Sequence, residues 1–165
     1  MDYDYTCYFD GACQPKNPGG AMGIGALIKN DIGLTIDSQT RFVAPKPNNT
    51  NNVAEYMALI WVLNTLIAGE LAGKNVLILG DSKLVIEQMN CRWDIKKGDY
   101  VPYAKRAQEM FYDLRINRKV KIDVQWIPRE QNTEADALST ACFKNNKINM
   151  TDFSKFKKKK KKQAI

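Results

Sequence analysis

Four acids in this 165-residue chain stand where side chains can do chemistry: Asp10, Glu55, Asp81 and Asp136. Each has an ordinary structural explanation. Asp10 precedes a glycine, and Asp-Gly is a turn signal. Glu55 follows Asn52 at three residues, the spacing of a capping box. Asp81 stands where an aspartate caps a helix, and Asp136 where an acid favours the start of one. Together they suggest more. Carboxylates that converge on one place repel one another and raise each other's pKa values unless cations intervene. The chain has no histidine, which excludes imidazole bases, histidine triads and His-ligated zinc. An all-carboxylate cluster favours hard divalent ions, Mg²⁺ or Mn²⁺, over Zn²⁺. Two such ions about 3.5–4 Å apart support in-line displacement at phosphorus, with no protein nucleophile required.

Convergence depends on the elements that carry these acids. Tyr3 to Phe9 alternates like a strand, and Ala21 to Lys29 and Leu34 to Val43 follow as two more around the turn at Asn30 to Gly33. Val53 to Ile67 predicts a helix apolar on nearly every face, with Glu55 its only charge. Val76 to Leu79 is a short apolar run suited to a strand buried on both faces. Helices are predicted over Ser82 to Met89, Tyr103 to Leu114 and Thr133 to Phe143, and a strand over Val120 to Ile127. The order βββ-α-β-α-α-β-α implies an α/β fold, a five-stranded mixed sheet with helices packed on it. Asp10 and Asp81 then each follow a strand at its C-terminal end, where sites form in open sheets. Glu55 and Asp136 each sit in the opening turn of a helix that can be aimed at the same edge.

Composition narrows the class. No apolar run approaches the roughly 18 residues of a membrane span, and no secretory signal is visible at the start. Cys7, Cys13, Cys91 and Cys142 are widely spaced, which fits free thiols in a reducing compartment. A soluble, cytoplasmic, monomeric protein without membrane contact is expected. The net charge of +7 is segregated. Residues 144–165 carry nine lysines and one acid, and the remainder is close to neutral. Within that remainder, Arg92 to Lys121 holds nine basic and four acidic groups. Residues 1–143 are expected to form the catalytic domain, and 144–165 a disordered basic tail.

Four segments are similar to type 1 ribonuclease H: Phe9 to Gly20 (FDGACQPKNPGG), Thr50 to Leu59 (TNNVAEYMAL), Leu79 to Met89 (LGDSKLVIEQM) and Trp126 to Ser139 (WIPREQNTEADALS). All four occur in order over the predicted pattern of elements. The resemblance implies the ribonuclease H-like fold and hydrolysis of the RNA strand of RNA–DNA hybrids, leaving 5′-phosphate and 3′-hydroxyl ends. It implies two Mg²⁺ ions, with Mn²⁺ able to substitute. Asp10 would bridge both ions, Glu55 and Asp81 would complete one site, and Asp136 the other. Asn17, Asn51 and Asn52 match positions that read the RNA strand in the minor groove, and Thr50 one that grips a DNA phosphate. Asn17-Pro-Gly is equally a turn, and Thr50 to Asn52 could simply cap a helix. Trp93 is either a residue that stacks near the DNA backbone or a half-buried core residue.

The chain departs from well-known members in two ways. The loop before the last helix, Pro128 to Asn132, lacks their histidine, and Arg129 is the candidate substitute, its alternative being a plain solvated arginine. The basic handle is missing, only Asp94 to Pro102 separating Trp93 from the next helix, although Lys96, Lys97, Lys105 and Arg106 offer a weaker phosphate-facing surface. The likeness is to a short form, with no hybrid-binding domain expected before the first strand. The run Lys157 to Lys162 could add electrostatic affinity, act as a nuclear-import address, or only solubilise. Two other readings stay open: an inactive hybrid-binding protein, and a nuclease of the same fold acting on other nucleic acids.

Overall fold

The structure, a computed structural model, describes residues 2–146. The six-lysine run lies outside these residues. Five strands form one mixed sheet: β1 (Tyr5–Gln14), β2 (Ala21–Asn30), β3 (Thr35–Val43), β4 (Asn75–Gly80) and β5 (Lys121–Trp126). Four helices accompany it: α1 (Asn51–Ala68), α2 (Lys83–Met89), α3 (Val101–Tyr112) and α4 (Thr133–Asn145). A π-helical turn, Asp113–Asn117, prolongs α3, and a 3-10 turn, Arg129–Gln131, precedes α4. The expected order of elements is the observed one. α4 runs two residues past Phe143, the boundary expected from sequence.

Across the sheet the strands lie in the order β3-β2-β1-β4-β5. The meander β1-β2-β3 is antiparallel, whereas β4 pairs parallel with both β1 and β5. The two layers differ in character. On one face, Cys7 and Phe9 of β1 and Ile24, Ala26 and Ile28 of β2 meet Tyr56, Leu59, Val62 and Leu63 of α1 in the main core. α3 packs outside α1, and α4 covers the opposite face over β2 and β1. Burial of α1 explains its lack of a polar face: nine of its residues are buried, Glu55 among them.

The sequence reading ends the first strand at Phe9, but β1 continues to Gln14. Its parallel ladder with β4 stops at Phe9 opposite Gly80, while the antiparallel ladder with β2 goes on from Asp10 opposite Gly25 to Gln14 opposite Ala21. Asp10 therefore does not end a strand; it stands mid-strand at the step where one neighbour has finished. Gly11 is not a turn residue either. A Cβ there would fall on the backbone of Ala54 and Glu55, so glycine lets α1 touch β1 directly. On the other face a Cβ at Gly25 would collide with the backbone of α4 at Ser139 and Ala135. These two contacts draw both helices onto the strand pair that carries Asp10.

Candidate active site

The step between β1 and β4 opens into a cleft of about 330 Å³ whose lining includes Asp10, Glu55, Asp81 and Asp136, with Asn51, Asn52 and Arg129 along its sides. Side chains alternate along β1, so Phe9 enters the main core while Asp10 meets α4, where the Ser139 hydroxyl donates to its Oδ2 at 3.0 Å. Asp81 directly follows β4, but it does not cap α2. Ser82 does, its hydroxyl accepting from the Val85 amide, which leaves the Asp81 carboxylate free for the cleft. The capping box expected from Asn52 and Glu55 is absent too. Thr50 caps α1 by accepting from the Val53 amide at 3.0 Å, and Glu55 sits one turn further on, above Gly11.

Asp10, Glu55 and Asp81 each offer an oxygen, and the three lie within 4.8 Å of one another. That is close to the roughly 4.2 Å between opposed oxygens around a small divalent ion with ligands at about 2.1 Å. Asp136 lines the same cleft from the first turn of α4 but stands outside this trio, its Oδ1 3.6 Å from Arg129 Nη2. Asp10 is 6% exposed and Glu55 7% exposed. Burial, and after it the charge of Asp81, push Asp10 up to about 7, against which the Ser139 hydrogen bond works. Glu55 rises well above the usual carboxylate range through burial and the charges of Asp10 and Asp81. Asp81 is raised by burial, with Asn132 and Arg129 opposing. Glu55 Oε2 is buried without a hydrogen-bond partner. A buried carboxylate oxygen with no donor, beside two further carboxylates, fits a hard divalent cation.

The other residues singled out from sequence divide. Asn17 Oδ1 accepts from the Asn51 amide at 3.2 Å, and Asn51 Oδ1 from the Cys13 amide at 2.7 Å, which brings Asn17, Thr50 and Asn51 to one border of the cleft. Buried Asn49 fastens this border by donating to Gly20 and Ala44 carbonyls, and sequence gave no hint of it. Trp93 is 47% exposed and does not line the cleft. Its surroundings come from the short link between α2 and α3, which has no helix of its own.

Three supporting residues were invisible in the pattern of residues. Ser139 holds Asp10, the Trp126 indole donates to the Asp81 carbonyl at 3.0 Å, and Asn132 donates both to the Phe9 carbonyl at 3.0 Å and to Asp81 Oδ2 at 3.3 Å.

The reverse transcriptase-like family matches residues 8–142. Ribonuclease H of Prochlorococcus marinus is 32% identical over 154 residues, covering 88% of this chain and 91% of that protein. The chain belongs to the type 1 ribonuclease H family. The bifunctional protein Rv2228c of Mycobacterium tuberculosis is 36% identical over 123 residues. That match covers 74% of this chain but only 31% of Rv2228c, so the chain spans about a third of that relative. Among solved structures, LC11-RNase H1 in complex with an RNA/DNA hybrid superposes with a TM-score of 0.69 at 30% identity, over 83% of this chain and 94% of that one. The five-stranded mixed sheet with its four helices is thus the ribonuclease H fold. Among the described residues, no helix is long and apolar enough to cross a membrane.

Proposed function

We propose that this chain is a ribonuclease H, a divalent-metal-dependent endonuclease that hydrolyses the RNA strand of RNA–DNA hybrids and leaves 5′-phosphate and 3′-hydroxyl ends. The observation that carries the reading is the buried carboxylate trio with its donor-less Glu55 oxygen, in a chain of this family. Asp10, Glu55 and Asp81 would hold the metal, with Asp136 completing a second position across the cleft. Two bound Mg²⁺ ions, or Mn²⁺ in their place, supply Lewis-acid activation of water and stabilisation of the leaving oxygen.

The residues around them do the positioning. The scissile phosphate enters a cleft whose floor is anionic, so binding there requires that the acids be neutralised by metal first. Asn17, Asn51 and Asn52, at the border of the cleft, would read the RNA strand in the minor groove, with its 2′-hydroxyls as the feature that separates RNA from DNA. Thr50 marks the DNA-phosphate side, and Trp93 a more distant contact with the DNA strand. Arg129, exposed beside Asp136, would take the place of the missing histidine as a cation near the departing product. Residues 1–143 act as the catalytic unit, with the lysine tail adding affinity for the polyanion.

The test is cleavage of an end-labelled hybrid in Mg²⁺ and in Mn²⁺, with duplex DNA and double-stranded RNA as competitors. Cutting of the RNA strand is expected, lost by at least 10³-fold in Asp10→Asn and Asp81→Asn. Pure protein that cuts no hybrid in either metal would remove the proposal, and tight hybrid binding without cleavage would favour the inactive binding protein.

A further inference from the structure

Asn132 is 1% exposed and belongs to three parts of the cleft wall at once. Its Nδ2 donates to the Phe9 carbonyl, one residue before Asp10, and to Oδ2 of Asp81. Its own carbonyl accepts from the Asp136 amide at 3.0 Å, the first backbone bond of α4. Because both partners of the side-chain amide are acceptors, the nitrogen must face them, and the orientation of the group is fixed. Its Oδ1 then points the other way, buried and without a partner.

That unpartnered oxygen is informative. A buried acceptor left without a donor opposes folding, and the side chain makes no cap bond to α4. Both bonds that the amide does make run to the cleft wall, one to the strand of Asp10 and one to Asp81 itself. What it supplies instead is a fixed distance between the β1–β4 step and the first turn of α4. Without it, the Asp81 carboxylate loses a hydrogen bond that holds its rotamer, and the start of α4 loses its bond to the Phe9 carbonyl, leaving the Ser139–Asp10 bond one turn further on. We infer that Asn132 is the positioning residue that sets Asp81 and Asp136 in register with Asp10 for capture of the divalent cation. It touches no substrate; it acts through the carboxylates. The catalytic half of this inference rests on the function proposed above, and the metal-binding half does not.

Asn132→Ser and Asn132→Gly both suit the start of a helix, and neither can reach Phe9 and Asp81 together. Mn²⁺ binding is measured by calorimetry on the full chain without nucleic acid, beside the thermal midpoint and steady-state cleavage of a hybrid. The expected result in folded variants is Mn²⁺ affinity about 10-fold weaker or more, the usual range for an outer partner of a metal ligand being 10–100-fold. kcat is expected to fall at least 10-fold with KM within about 2-fold. Folded variants with Mn²⁺ affinity and kcat within 2-fold of the wild type would overturn the assignment. So would loss of folding in both, since the amide would then serve the fold rather than the site. A wild-type chain that binds Mn²⁺ but cuts no hybrid would remove the proposed function and leave the metal-binding comparison to decide Asn132 alone.

Discussion

Burial, and after it the charge of Asp81, raise Asp10 from an ordinary value of 3.8 to about 7 in the ion-free fold. Between those values the ion-free folded state holds a proton that the unfolded chain has released. The associated stability is complete below about pH 4 and is lost as pH rises through about 7. Glu55 and Asp81 shift in the same direction and reinforce it. The thermal midpoint measured in chelator should therefore fall from pH 4 to pH 8, and Mn²⁺ should reverse the loss. Asp10→Asn, which cannot ionise, should lie roughly 3–8 °C above the wild type at pH 8 without metal. A wild-type midpoint that is flat or rising across this window would contradict the electrostatic account. Arg129 behaves differently. Its side chain is 79% exposed and its nearest acid is 3.6 Å away, so Arg129→Ala should change stability by less than about 0.5 kcal/mol. A fall in turnover at unchanged thermal midpoint would then report its work in the cleft, and unchanged turnover would return it to a plain surface arginine.

At the scale of elements, the site depends on how closely α1 and α4 approach β1. Gly11→Ala should push α1 away from the strand and separate Glu55 from Asp10. A cost of about 1–3 kcal/mol or more is expected from the collision with the Ala54 backbone, together with weaker Mn²⁺ binding; full stability and affinity in the variant would show that the contact is not needed. This is also where sequence reading reached its limit. The order of elements and the four acids were legible because apolar periodicity and charge are local properties. The length of β1 was not, because Asp10-Gly11 looks like a turn until α1 is seen lying on Gly11. Ser139, Asn132 and Trp126 were missed for a related reason. They are uncharged, they sit far along the chain from the acids they hold, and no spacing marks them. The capping role offered for Thr50 to Asn52 falls to Thr50, whereas those offered for the Asn52–Glu55 pair and for Asp81 do not hold, since Thr50, Asn52, Asp81 and Ser82 are all good cap residues and only the fold decides among them.

For the whole molecule, charge is divided between the carboxylates of the cleft and two basic stretches of sequence. Nine basic groups lie between Arg92 and Lys121, and nine lysines between Lys144 and Lys162. A polyanion would be gathered by the basic regions and admitted to the cleft only where metal has reversed its sign. Deleting Phe156 to Ile165 should weaken hybrid binding and flatten its salt dependence, with cleavage retained. The slope of log affinity against log salt measures this, and an unchanged slope would show that the lysines do not touch the nucleic acid.

Where β4 stops short, the Cys13 amide of β1 has no strand to pair with, and the side-chain oxygen of Asn51 takes that place. Asn17 does the same for the backbone of Asn51. Both oxygens are thus turned toward the protein, which leaves the Nδ2 groups of Asn17 and Asn51 as the donors of these two side chains. Purine N3 and pyrimidine O2 are lone-pair atoms that every base pair shows in the minor groove. Donors of that kind would follow such a groove through any sequence of letters, which would suit the hybrid cleavage proposed above, a reading of the kind of duplex and not of its message.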